Sequence, residues 1–575
     1  MKTVLVGINS SFVHTCLSVR ELYSYARSKG LECSFCEHTV NNEPVKTTDS
    51  LYTEDADIYA FSVYIFNVAY VKRVASDLKK AKPDCFIVFG GPEVSHSREK
   101  FLKENPYVDL ILSGEGEEAF CDLLRNFRAD RPSVKNKEVF YQNKLKNFSY
   151  IYNGNYITFG DREPICDLSV LPFPYEPLEE LRDRILYYES SRGCPFRCSY
   201  CLSAGDMPLR YAPLDKVFAD LKIFLDAKAR QVKFIDRTFN SDRRRALEIW
   251  KFLAENDNGV TNFHFEIAAW LLNDEAIEFL RTVRKDLFRF EIGIQSTNPE
   301  TMKAICRPVP FSEIKKAVAA LDGKNIALHT DLISGLPHET IETFENSFND
   351  VYSLEGEDLQ LGFLKILDGS PMSDERFGAV FSSEPPYEVI STPTMSYSDL
   401  AFLRKIAALI EIYHNSGICS FALTDSLNTL FGLTPYRFWA KFATFSSEKG
   451  FFDKPRAVAD TFSNLYYYIC TLCGEGIAQS LCAYDLYRHG RVGSFPSWLT
   501  SLPDKEALYD LLKDEDRIKH ILPEEYHEAF FSENIKYWYK NSVLFAVKDL
   551  SEPNNKEVLY WSLYNKIRLQ IKIDK

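Results

Sequence analysis

No run of the roughly 18 apolar residues that a membrane span needs occurs anywhere in the 575 residues. Met1-Lys2-Thr3-Val4-Leu5 passes directly into a strand-like segment without a cleavage signature, so a cytoplasmic protein with no membrane partner is expected. Positive charge is also short. The 68 Lys and Arg stand against 81 Asp and Glu, a net charge of -13, and nothing in that balance draws the chain toward nucleic acid or anionic lipid, although it does not exclude a local basic groove. Repeats of solenoid period and low-complexity tracts are missing. What is present is bulk: 45% hydrophobic and 14% aromatic residues rule out disorder as the main state. The length implies three or four domains of about 100 to 200 residues, enough to bury a large cofactor. Fourteen cysteines without a secretory signal argue for reduced thiols, metal ligation or core packing rather than disulfides.

Over residues 1–127, strand-like runs (TVLVGI, LECSFCEH, ADIYAFSVYIF, DCFIVFGG, VDLILSGEGE) alternate with helical periodicity at 17–29, 68–81 and 117–127. Five strands joined by helices imply a doubly wound, Rossmann-like parallel sheet, whose ligands sit beyond the carboxyl ends of the strands. Asn9-Ser10-Ser11, Gly90-Gly91-Pro92-Glu93 and Ser113-Gly114-Glu115-Gly116 fall there, either as ordinary turns or as places where backbone approaches a bulky ligand. Residues 128–184 read as a linker containing a hairpin, KNFSYIYNGNYITFG, with Asn-Gly at its turn. A second alternation over 185–384 offers the strands RILYYES, QVKFID, NFHFEIAA, LFRFEIGIQ, IALHTDLISG and DLQLGFLKIL, with helices near 214–228, 242–256, 274–284, 311–322 and 340–353. That pattern fits a partial (β/α)6 TIM-like barrel with its chemistry at the strands' carboxyl ends. Residues 385–575 are mostly helical, followed by SVLFAVKD and KEVLYWSLY as strands.

After the first barrel strand comes SSRGCPFRCSYCLS, in which Cys194, Cys198 and Cys201 are spaced Cys-x3-Cys-x2-Cys. A structural zinc site wants a fourth ligand, and none lies close by. Three soft thiolates suit three corners of a 4Fe-4S cube and leave the fourth iron open. The other cysteine groups read differently. Cys33 and Cys36 share a strand and would project to opposite or offset positions, as core residues. Cys470, Cys473 and Cys482 lie in an aromatic helical setting, again as core; about eight irons per chain rather than about four would make them an auxiliary cluster instead.

The cysteine motif, with aromatic Tyr200 before its last member, resembles the signature of the radical S-adenosylmethionine (SAM) superfamily. The resemblance implies that Cys194, Cys198 and Cys201 ligate a 4Fe-4S cluster. The open iron would take the amino and carboxylate groups of SAM, whose reductive cleavage gives a 5′-deoxyadenosyl radical, with electrons from a reductant such as flavodoxin or ferredoxin. It places Tyr200 near the adenine and makes Asp236, Glu266, Gln295, Arg307 and Asp331 further SAM contacts. At the second strand end FIDRTFN stands where the family commonly has a glycine-rich contact. The front domain and the linker-like LSVLPFPY resemble the cobalamin-binding class of the superfamily, which assigns Asn9, Ser10, Gly90, Gly91, Pro92, Glu93, Gly114, Glu115 and Gly116 to cobalamin. The Asp-x-His-x-x-Gly motif of other cobalamin proteins is absent, and His14 and His96 read as turn or surface residues rather than cobalt ligands. The last third resembles the C-terminal domain of one subgroup of that class. The expected activity is methyl transfer from methylcobalamin to an unreactive carbon. Ring contraction or cyclisation, and transfer RNA modification of the methylthiolase kind, are the alternatives, and a cobalamin sensor on a degenerate barrel disagrees with the intact cysteine triplet. Acidic balance and the lack of an RNA-binding module weigh against a nucleic-acid substrate.

Overall fold

The seven residues of β1 (Thr3–Asn9) are buried throughout, as a parallel strand covered on both faces must be. In the computed structural model β1 is flanked by β2 (Ser34–Thr39) and β3 (Ile58–Ser62), followed outward by β4 (Phe86–Gly90) and β5 (Leu110–Leu112), all parallel. The described residues are 2–127, 142–204, 208–321, 325–373, 377–424, 431–453, 455–490, 495–499, 503–548 and 557–573. Outside them fall residues 128–141 of the expected linker, the end of the helix expected over 311–322 and one end residue of each expected C-terminal strand.

Alternation along β1 builds two cores. Leu5 faces α1 (Leu17–Ser28) and α5 (Glu117–Asn126), packing with Val19, Phe120 and Leu124. Val4, Val6 and Ile8 face α2 (Pro44–Thr53), α3 (Val68–Ala81) and α4 (Arg98–Glu104), packing with Leu51, Val71, Leu78 and Leu102. Each large apolar side chain so buried contributes about 1.5–3 kcal/mol. The sheet is therefore doubly wound as expected, with α2 and α4 as additions. The expected linker requires correction: β6 (Phe148–Tyr152) and β7 (Asn155–Thr158) form the hairpin and extend the same sheet, β6 antiparallel to β5 with Ile111 opposite Ser149.

Six parallel strands form the second sheet: β8 (Ile185–Tyr188), β11 (Gln231–Phe234), β12 (Asn262–Glu266), β13 (Phe288–Gln295), β14 (Ala327–Ser334) and β15 (Asp358–Phe363), in sequential spatial order. Between β8 and β11 a short antiparallel pair, β9 (Ser191–Arg192) with β10 (Arg210–Tyr211), brackets the cysteine loop. The outer helices are α6 (Leu214–Asp226), α7 (Arg243–Glu255), α8 (Asp274–Leu280), α9 (Pro299–Ala304), α10 (Phe311–Leu321) and α11 (Ile341–Tyr352). Behind the sheet Trp250 of α7 packs on Phe239, Phe265 and Phe290.

The front sheet and the barrel sheet, apart from the first half of β15, belong to one compact unit (residues 1–347, 354–356 and 361–400). His14 makes a parallel bridge to Ile185, and its Nδ1 lies 2.7 Å from the Tyr187 hydroxyl. The second unit comprises residues 348–353, 357–360 and 401–575. It is helical first: Phe442 stacks on Tyr468 at 4.7 Å between helices Pro435–Glu448 and Val458–Cys473. It ends in a three-stranded antiparallel sheet, Ser542–Lys548, Glu557–Leu563 and Leu569–Ile573, whose last strand the sequence pattern did not mark.

Candidate functional site

The cysteine loop starts where β8 ends. Asp236, just past β11, accepts from Ser190 N at 2.9 Å, Ser190 Oγ at 2.7 Å and Ser191 Oγ at 2.5 Å. Burial raises its carboxyl above the usual range, and the serine bonds pull it back. Gly193 then turns the chain at φ +94°, where a Cβ would stand 2.6 Å from the Pro208 carbonyl oxygen. Ser199 N donates to Ile305 O and Met372 N to Ser199 O, pinning the loop from outside.

Cys194, Cys198 and Cys201 line one cavity together with Tyr200, Glu266, Gln295, Arg307 and Asp331. Asp236, the sixth residue expected to contact SAM, lies behind the loop instead of lining the cavity. Each sulfur has a polar neighbour: Thr238 Oγ1 is 3.6 Å from Cys194 Sγ, Arg307 Nη1 3.5 Å from Cys198 Sγ and Ser203 N 3.3 Å from Cys201 Sγ. Among the described residues no three His, Cys, Asp or Glu side chains converge on a point that would hold one metal ion. Thiolates on an iron–sulfur cube each bind a different iron, so they need no common point.

The barrel wall of this cavity is polar by alternation. Along β13 the side chains of Glu291 and Gln295 share a face with Gly293. Glu291 Oε2 lies 2.9 Å from Lys233 Nζ and 2.8 Å from His264 Nε2. Burial would raise the Glu291 carboxyl, but these two partners outweigh it and hold it at about 2. Glu266 is pushed up to about 7, by burial first and by the Glu291 charge second. Burial also raises Asp331, opposed by His329, whose Nε2 lies 3.0 Å from Oδ1. Burial raises the Tyr200 phenol, opposed by the charge of Arg307 and reinforced by Cys198.

Three atoms here ask for a ligand. Gln295 Oε1, Arg307 Nε and Asp331 Oδ1 are buried without a hydrogen-bond partner. Gln295 holds φ +72° at a bulge in β13, the left-handed strain that concentrates at functional positions. A Cβ on Gly293 would stand 2.3 Å from Gln295 Nε2, so only glycine leaves that side chain its place. Arg307 is fixed by Gly293 O at 2.6 Å and lies 4.9 Å over the Trp270 ring. An amide, two carboxyls and a guanidinium suit a ligand carrying hydroxyls, an ammonium and a carboxylate, as SAM does. Phe196, Ser203, Arg237, Thr238 and Glu291 also line the cavity and were not singled out from sequence. The β13 alternation that relates Glu291 to Gln295 could have found the last.

A second cavity opens at the carboxyl edge of the front sheet. Gly90, Gly91, Gly114 and Gly116 line it, with apolar depth from Leu5, Val88 and Phe120 and polar groups from Ser18, Glu21, Ser62, Tyr64 and Glu117. Gly91 has φ +114°, and a Cβ there would stand 2.5 Å from Val63 O. The place between β1 and β3, where the strand order reverses, is where doubly wound sheets bind ligands. A cavity with an apolar floor, glycine walls and few polar groups fits a bulky, amide-rimmed group such as cobalamin. The other expected contacts are elsewhere. Asn9 Nδ2 donates to His14 O, Ser10 is exposed, Pro92 begins a short 3-10 turn, Glu93 accepts from the Tyr387 hydroxyl at 2.8 Å, and Glu115 is held by Arg192 and Arg210. His14 and His96 do not line this cavity. Cys33 and Cys36 pack into the two opposite cores of the front sheet, with thiols raised to about 12 chiefly by burial. Burial likewise raises Cys470, Cys473 and Cys482.

A doubly wound domain with an open glycine edge, followed by a parallel barrel with three cysteines at the carboxyl ends of its strands, defines a class with two cofactor sites. Residues 3–124 match the family model described as B12 binding domain, and residues 188–351 the one described as Radical SAM superfamily. The chain thus carries a radical SAM domain behind a B12-binding domain, and residues 375–560 match the model described as Protein of unknown function (DUF4080). It is 27% identical over 338 residues to the cobalamin-dependent radical SAM methyltransferase TokK of Streptomyces tokunonensis, covering 56% of this chain and 48% of that one. It is 26% identical over 337 residues to the 2-(S-pantetheinyl)-carbapenam-3-carboxylate methyltransferase of Streptantibioticus cattleyicolor, again covering 56% and 48%. The chain thus spans about half the length of these curated relatives. The solved structure of the cobalamin-dependent SAM radical enzyme OxsB with aqua-cobalamin shares the fold, with TM-score 0.58, 14% identity, and coverage of 93% of this chain and 84% of that one. The cofactors these domains imply are a 4Fe-4S cluster, SAM and cobalamin. Among the described residues no helix is long and apolar enough to cross a membrane.

Proposed function

We propose that this chain is a cobalamin-dependent radical SAM enzyme that transfers a methyl group to an unactivated carbon. The observation that carries the reading is the occurrence, in one compact unit, of a three-cysteine cavity with unpartnered Gln295 Oε1 and Arg307 Nε and a glycine-walled front cavity. When bound, the three cofactors supply reductive cleavage of a sulfonium and a methyl group carried on cobalt. The chain's own residues do the rest. Cys194, Cys198 and Cys201 hold the cluster. Glu266, Gln295, Arg307 and Asp331 orient SAM, and Tyr200 closes the cavity beside the cysteines. Gly90, Gly91, Gly114 and Gly116 give the corrin its approach. Electrons come from a reductant such as flavodoxin or ferredoxin. None of the fourteen cysteines is joined in a disulfide, which supports a reducing, cytoplasmic setting. The names of the two curated relatives support methyl transfer over the other outcomes of this cofactor pair.

The test needs no knowledge of the substrate. Reconstituted, cobalamin-loaded protein under strong reductant is given SAM labelled in its methyl group. S-Adenosylhomocysteine and label on the protein-bound corrin are expected. Full cluster and corrin loading with no S-adenosylhomocysteine would overturn methyl transfer.

A further inference from the structure

One turn of the front domain lines the front cavity, through Gly114, Gly116 and Glu117, and is tied to the β9–β10 strand pair on either side of the cysteine loop. Arg192 Nη2 lies 2.6 Å from Glu117 Oε1, and Arg210 Nη2 lies 2.6 Å from Glu115 Oε1. Arg192 and Arg210 face one another across the pair, and only Gly193 separates Arg192 from Cys194. The contact is buried, with 10% of the Arg192 side chain and 4% of Glu117 exposed, so its geometry is fixed as surface pairs are not.

Glu117 has a second oxygen. Oε2 is buried and has no hydrogen-bond partner, although the residue lines the front cavity. A carboxylate only accepts, so the group that satisfies it must donate an N–H or O–H. The primary amides on a corrin rim are such donors. We propose that Glu117 couples the two cofactor sites, Oε2 accepting from a corrin amide in the front cavity while Oε1 holds Arg192 and with it the register of the Cys194 loop. The proposal rests on the cobalamin-binding reading above. Glu117 and Arg192 act as positioning residues. Arg192 also keeps a partner of its own domain, Glu189 Oε2 at 2.7 Å from Nε, so cutting the Glu117 arm leaves the loop supported. Coupling between sites is reciprocal, so cobalamin changes the affinity for SAM by the factor with which SAM changes that for cobalamin.

Full-length reconstituted protein is titrated with SAM, with and without saturating hydroxocobalamin, and Kd is read from the paramagnetic resonance signal of the reduced cluster. In the wild type cobalamin is expected to shift the SAM Kd by about 5-fold or more. In Glu117→Gln the shift falls below about 2-fold and the SAM Kd without cobalamin stays within about 3-fold of wild type; Arg192→Gln, which also gives up Glu189, is expected to raise that Kd and to lose the shift as well, and the double variant loses no more than Arg192→Gln alone. A merely structural role would change the Kd without cobalamin and leave the ratio intact, which overturns the proposal. Glu117→Asp, which keeps the charge and shortens the reach, is expected to show the same collapse and serves if the amide variant does not fold. Wild-type protein that binds cobalamin without any effect on SAM overturns the coupling alone. Wild-type protein that binds no cobalamin overturns the reading beneath it as well.

Discussion

Asp236→Ala removes the acceptor of three hydrogen bonds at once, from Ser190 N, Ser190 Oγ and Ser191 Oγ, at a side chain that is 1% exposed. A buried backbone N–H left without a partner costs about 1–3 kcal/mol, and a hydrogen bond to a charged acceptor contributes about 1.5–3 kcal/mol. The two hydroxyls recover part of their share by rotating, and the burial that raises the Asp236 carboxyl returns some energy once the charge is gone. The net loss expected is about 3–5 kcal/mol. Asp236→Asn is the informative partner. Its amide oxygen serves Ser190 N and its nitrogen faces hydroxyls that can turn to accept, so about 1 kcal/mol is expected to be lost. Urea unfolding of anaerobically purified protein gives the stabilities, and iron analysis with SAM titration gives the site. The alanine variant is expected to lose iron together with stability. The asparagine variant is expected to keep about four irons per chain and a SAM Kd within about 3-fold of wild type. If the asparagine variant instead loses more than about 10-fold in SAM affinity with stability and iron unchanged, Asp236 touches SAM and is not a support behind the cysteine loop.

Glu339 is pushed up to about 7 by burial, against the hydroxyls of Ser296 and Ser347 that bond to its Oε1. Its folded-state value exceeds the unfolded one, so its contribution is full below about pH 4 and is lost as pH rises through 7, by about 3 kcal/mol in total. Glu339→Gln should remove that part of the decline in urea unfolding between pH 5 and 8, and equal slopes in both proteins would refute the assignment. Gly91→Ala sets a Cβ 2.5 Å from Val63 O at φ +114°, so a loss of about 1–3 kcal/mol and a fall in bound corrin are expected by thermal unfolding and absorbance. A variant with wild-type stability and full corrin would contradict it.

The strands were legible because parallel strands buried on both faces read as continuous apolar runs, and the cluster because three cysteines at that spacing have few other uses. Five of six expected SAM contacts gather in one cavity because each stands at a strand end, where the fold itself concentrates them. Asp236 stands at such an end too, but its carboxylate faces Ser190 and Ser191, a choice set by a loop 45 residues away in sequence. The front domain shows the same limit. The glycines were found by local turn chemistry, whereas Glu93 and Glu115 are claimed by Tyr387, Arg192 and Arg210, partners that only the folded chain brings near. The Asn-Gly hairpin announced its own turn but not its docking on β5, which depends on the edge left open there.

Reductive cleavage of SAM by the reconstituted full-length protein tests the central claim most directly. With a low-potential reductant the wild type is expected to form 5′-deoxyadenosine and methionine in equal amounts, and Cys198→Ala to form neither. Undiminished cleavage by Cys198→Ala, or none by wild-type protein carrying about four irons per chain, would contradict the account.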